Sequence, residues 1–128
     1  MLIFPTVWAK LMLSLLVLVS AAKTTPGEYV SHESVCVINT QDTDCEVTLT
    51  LYYEDREPIT PLYAFCGARR THHIRMDLIR DPDGNPIPKG VPYAALVECS
   101  VPVVVQYTRV DTTQAANSLM TTMAYPVE

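Results

Sequence analysis

Apolar and polar residues alternate along much of this chain, and the alternation has a period of two. It is cleanest in "CEVTLTLYY" (45–53), where Val47, Leu49, Leu51 and Tyr53 fall on one side and Glu46, Thr48, Thr50 and Tyr52 on the other. That pattern predicts a half-buried β-strand. "SVCVIN" (34–39), "LYAFC" (62–66), "RTHHIRM" (70–76), "YAALVECS" (93–100) and "VVVQYTRV" (103–110) are further strand candidates. They are β-branched or aromatic and bounded by turn residues. "TQDTD", "EDREP" and the proline-rich "RDPDGNPIPKG" (80–90) separate them as turns and a long loop. The tail 111–125 fits two patterns. Asp111 with Gln114 reads as a capping box, and Ala115, Ala116, Leu119, Met120 and Met123 fall at helical spacing, yet "LMTTMAY" also reads as a strand. The expectation is a turn or short helical turn followed by a strand. Short strands about ten residues apart, with no long helix, predict an all-β antiparallel sandwich or barrel.

The front of the chain breaks the pattern. "KLMLSLLVLVSAAKTT" (10–25) has one lysine before an apolar run and small residues at Ser20, Ala21 and Ala22, like a secretory signal. The run is shorter than the roughly 18 apolar residues expected of a membrane span. Residues 1–9 carry no Lys or Arg, which is poor for a signal. Residues 1–28 are therefore read as an atypical apolar N-terminal segment and 29–128 as one domain, since 128 residues leave no room for two.

Composition narrows the function. The formal charge of −5 argues against nucleic-acid affinity spread over the whole surface. Against that background, residues 67–80 hold four of the nine basic residues and two of the three histidines. On a strand, Arg69, Thr71, His73 and Arg75 share one face, and Arg70, His72, Ile74 and Met76 the other. Two readings stand side by side: an exposed strand whose arginines pair with Glu54, Asp55, Glu57, Asp77, Asp81 or Asp83, or a face that binds an anion or a partner. Cys36, Cys45, Cys66 and Cys99 form no CxxC pair and read as small buried hydrophobes, with disulfides open only to a secreted chain. His32 beside Glu33 has no ligand spacing, so no metal is expected. No nucleophile motif or phosphate-binding glycine loop occurs, so no catalytic residue is assigned and no cofactor is expected.

"SHESVCVIN", "LTLYYEDREPITPL", "ARRTHHIRMDLI" and "VPYAALVECSVPVVVQYTRVDTTQAANSLMTTMAY" resemble the sensory rhodopsin transducer family over about residues 29–125. The resemblance implies a jelly-roll-like β-sandwich that forms homotetramers. It implies a cytoplasmic, non-enzymatic signal-transfer protein that docks on a membrane receptor such as a sensory rhodopsin and binds DNA or a small, carbohydrate-like ligand. Family motifs fall on Ser31-His32-Glu33, Asn39, Tyr52-Tyr53, Glu57-Pro58, Arg69-Arg70-Thr71, His73, Arg75, Val101-Pro102, Gln106, Thr108-Arg109 and Asp111. Arg69, Arg70, His73, Arg75, Gln106 and Arg109 are the candidate partner- or anion-binding groups, and His32, Glu33 and Asn39 the candidate pocket. The departure is at the front. Val7-Trp8-Ala9 begins the family's first strand, and residues 10 to about 27 then replace it, like an out-of-frame or degenerate stretch. Were they genuine, a neighbouring strand would lose its partner. The rival reading is a secreted, carbohydrate-binding β-sandwich, cleaved near Ala21 or Ala22 and with its cysteines paired.

Overall fold

A computed structural model of the chain describes residues 7–11, 31–111 and 118–127. Those residues form strands β1 (Val7–Leu11), β2 (His32–Asn39), β3 (Cys45–Tyr52), β4 (Ile59–Cys66), β5 (Arg70–Arg75), β6 (Ala94–Cys99), β7 (Val104–Asp111), β8 (Ser118–Met123) and β9 (Tyr125–Val127). There is no helix among them. One sheet has the order β4-β3-β6-β1-β9 and the other β5-β2-β7-β8. Every pairing is antiparallel. The expected two-sheet β-sandwich is the fold.

The inner faces follow from the alternation. Val47, Leu49 and Leu51 of β3 are fully buried, as are Leu62 of β4 and Val97 of β6. They meet Val35, Val37, Val105, Tyr107, Ile74 and Met76 from the other sheet. Each such side chain contributes about 1.5–3 kcal/mol by leaving water. Ile87, midway along the 80–93 loop, and Tyr93, at its end, plug it into this core. The loop holds a turn in which the Asp81 carboxylate accepts hydrogen bonds from the Asp83 and Asn85 amides, and Gly84 takes φ +85°.

Two elements differ from the expectation, and the tail strand agrees with it. β4 begins at Ile59, not at residue 62, and runs through Pro61. It is an edge strand, where a missing N–H costs no ladder bond. Val7–Leu11 forms β1, paired with β6 and β9, so β6 keeps a neighbour on that side. Lys10 and Leu11, read as the start of a signal, belong to this strand. In the tail, Asp111 is the end of β7 opposite Ser118, and residues 118–127 are strands on either side of Ala124. Gln114, Ala115 and Ala116 of the helical alternative, and Ser20 to Ala22 of the cleavage site, lie outside the described residues.

Candidate functional site

The site is built where two turns meet. The β2–β3 turn (40–44) and the β4–β5 turn (67–69) lie side by side at one end of the sandwich, and Asn39 ties them together. Its side chain is 1% exposed. Its Nδ2 donates to the carbonyls of Thr43 (2.8 Å), Gly67 (3.2 Å) and Cys66 (3.3 Å), and its Oδ1 accepts from the Gln41 amide. The Arg69 amide donates to the Gln41 carbonyl at 3.0 Å, and the Ala68 amide to Asp44 Oδ1 at 2.8 Å. Held in this way, Arg69 sits in the left-handed region at φ +54°, the one non-glycine residue to do so among the described residues. Such a conformation costs roughly 1–3 kcal/mol and persists only where the surroundings enforce it. Asn39 is thus a structural clasp, and it also lines an open groove together with Ile38, Thr40, Arg69, Arg70 and Thr71.

From the groove, β5 carries the site onto the outer face of the four-stranded sheet. Val35, Val37, Val105 and Tyr107 point inward, so the alternate positions point out. Register then sets rows across the strands. Thr71, Ile38 and Val104 form one row; His73, Cys36, Gln106 and Met123 the next; Arg75, Ser34, Thr108 and Thr121 the third. Ile38, His73, Val104 and Met123 are exposed. Cys36 and Ser34 are small and lie beneath their larger neighbours, at 4% and 6% exposure. Thr108 Oγ1 accepts a hydrogen bond from Gln106 Nε2 at 3.3 Å and pairs with Thr121 Oγ1 at 3.1 Å. The face mixes exposed apolar groups with hydrogen-bonding ones.

The remaining expected residues divide. Arg75 makes a bidentate pair with Asp77 at 2.8 and 2.7 Å, half-buried, and this holds the Asp77 carboxyl below the usual carboxylate range. His32 lies near enough to add to that effect. Arg69 reaches Asp42 at 3.1 Å with both groups well exposed, and Arg70 Nη1 donates to the Arg69 carbonyl. The His72 ring meets the Phe65 carbonyl at 2.6 Å. Arg109 does not join the outer face. It is opposite Glu33, on the inward side of its strand.

Glu33 is 7% exposed and lies at the other end of β2 from Asn39. Tyr93 donates to its Oε2 at 2.7 Å. Burial first, then the charge of Glu33, pushes the Tyr93 and Tyr107 hydroxyls well above the ordinary tyrosine range. Tyr107 Oη and Glu33 Oε1 have no hydrogen-bond partner among the described residues. His32, Glu33 and Asn39 therefore form no common pocket. Cys36, Cys45, Cys66 and Cys99 are buried free thiols, and burial pushes Cys99 up to about 12. No group of ligating side chains fit to hold a metal occurs among the described residues. Sequence reasoning missed Ile38, Thr40 and Asp42 at the groove; Thr108 was within reach, because alternation puts it on the Gln106 face.

The comparisons agree with the fold. A protein from Thermotoga maritima of known crystal structure is 29% identical, with a TM-score of 0.71, over 97% of this chain and 96% of its own. The solved Anabaena sensory rhodopsin transducer is 34% identical, with a TM-score of 0.65, over 84% of this chain and 99% of its own. No curated protein sequence matches. The family model described as Anabaena sensory rhodopsin transducer matches residues 18–126, reaching further forward than the motifs at 29–125. With most of its length matched in this way, the chain belongs to the Anabaena sensory rhodopsin transducer family.

Proposed function

We propose that this protein is a cytoplasmic, non-enzymatic signal-transfer protein that docks on a membrane receptor of the sensory rhodopsin kind through the outer face of its four-stranded sheet. It works as a homotetramer in this reading. The family likeness supports the transducer-like role. The observation that carries the docking face is the row of His73, Cys36, Gln106 and Met123 across four adjacent strands, open to solvent at both ends. Contact surfaces of transient complexes have this mixed apolar and hydrogen-bonding make-up. The role is binding: the described thiols are buried, and Arg75 is engaged with Asp77.

The test is capture of a purified microbial sensory rhodopsin in lipid nanodiscs by the full chain. His73→Glu with Gln106→Glu places two carboxylates in the middle of the face and is expected to weaken capture by about tenfold or more. Capture that these changes leave intact overturns the docking face. No capture by the natural chain overturns the receptor reading. Arg75 is a poor probe, since replacing it also breaks its pair with Asp77. Double-stranded DNA and free sugars run as competitors; displacement of the rhodopsin by either would favour that ligand instead.

A further inference from the structure

We infer that the groove at the joined turns is a receptor for a carboxylate on an acidic peptide segment with an aliphatic neighbour. The inference rests on the docking proposal only in supposing that such a segment belongs to a protein partner.

Three observations converge there. The groove is open along one side and lined by Ile38, Asn39, Thr40, Arg69, Arg70 and Thr71, so it suits an extended chain better than an enclosed small molecule. Two guanidiniums stand at its wall in a protein of formal charge −5, and both are exposed. The backbone that carries them is fixed from below: Asn39 ties the two turns, and Arg69 is held at φ +54° by its amide bond to Gln41. A fixed backbone spares part of the ordering cost of binding, and the planar guanidinium fork matches a carboxylate.

The charges already present name the ligand chemistry. Arg69 Nη1 reaches Asp42 Oδ1 at 3.1 Å, with side chains 71% and 87% exposed. A carboxylate is thus the group the Arg69 fork meets in the chain itself, and so exposed a pair is open to exchange. An incoming carboxylate replaces Asp42 on Arg69, while Arg70, whose Nη1 donates to the Arg69 carbonyl, adds positive charge to the wall and the Thr71 hydroxyl is already spent on the Val37 carbonyl. Ile38, 40% exposed, offers an apolar patch to an adjoining aliphatic side chain. Asp42 and Asp44 in the adjoining turn repel the closely spaced phosphates of a nucleic acid, which favours a single carboxylate on a peptide.

The experiment uses the full chain and a labelled, end-blocked peptide Leu-Glu-Glu-Leu, with Leu-Gln-Gln-Leu as control. Anisotropy is expected to show saturable binding of the acidic peptide, about tenfold weaker for the control. Arg69→Asn with Arg70→Gln keeps a residue that tolerates the left-handed turn and is expected to lower affinity by about tenfold. Asp42→Asn removes the internal competitor and is expected to raise affinity by about threefold. Equal binding by the double variant, no binding by the natural chain, or weaker binding by Asp42→Asn overturns the inference. So does tighter binding of an oligonucleotide than of the peptide. The rhodopsin capture uses changes at residues 73 and 106, so the two proposals fail separately.

Discussion

The hydroxyl of Tyr93 donates a 2.7 Å hydrogen bond to the Glu33 carboxylate inside the sandwich, and neither residue is more than 7% exposed. Tyr107 lies by the same carboxylate, yet its hydroxyl has no partner among the described residues. Two tyrosines around one buried charge thus support it unequally. Tyr93→Phe strips a buried carboxylate of its donor and is expected to cost about 2–3 kcal/mol. Tyr107 approaches the same carboxylate too loosely for a well-formed bond, so Tyr107→Phe is expected to cost less than about 1 kcal/mol. Urea unfolding of both variants checks the contrast; equal losses would contradict it.

The Asn39 clasp gives a second prediction. Asn39→Ala deletes bonds to three carbonyls and one amide in a buried place, and is expected to lower stability by about 3 kcal/mol. Asn39→Asp is worse at neutral pH, because a carboxylate would face the carbonyls of Thr43, Cys66 and Gly67. Its urea midpoint should fall below that of the alanine variant and recover part of the difference when the solution is acidified.

The Arg75–Asp77 pair predicts a pH dependence. Its hydrogen bonds to Arg75, first among the causes, depress the Asp77 pKa in the folded state. The unfolded value is about 3.9, so the stability from this group is present above about pH 4 and is lost as pH falls through the lower folded value. Asp77→Asn should cost about 1 kcal/mol near neutral pH, allowing for solvent screening of a half-exposed pair. That cost should shrink towards zero as pH falls through the lowered folded value. A difference that stays constant down to that pH would show that the pair contributes nothing through Asp77 ionisation.

Much of the architecture was readable from alternation, and the exceptions have physical causes. β3 has one wet face, so its phase is plain: Val47, Leu49 and Leu51 in, Glu46 and Tyr52 out. β2 is buried on both sides except at Ile38, and "HESVCVIN" therefore carries no phase. That is why the sequence could not show that Glu33, next to His32, faces the core. β1 lies in a stretch without alternation, and β8 is rich in Met and Thr, which suit helix and strand spacing alike. Of the basic residues, Arg75 found Asp77, one of the acids expected from nearby sequence. Arg69 found Asp42, 27 positions away, through a meeting of turns that no local pattern shows. Gln106 joins the face of His73 because Cys36 pairs with both, and Arg109 does not because it is three positions further along a two-residue repeat.

The clasp at Asn39 has one more consequence. It separates what shapes the groove from what gives it chemical character. The amide is deep and connects to backbone alone, whereas the guanidiniums at 69 and 70 hang in solvent. Such a mouth can trade its charge, as by acidic or neutral side chains in place of the arginines, while the frame beneath stays put. Related chains can in this way diverge in whom they address without relearning how to fold.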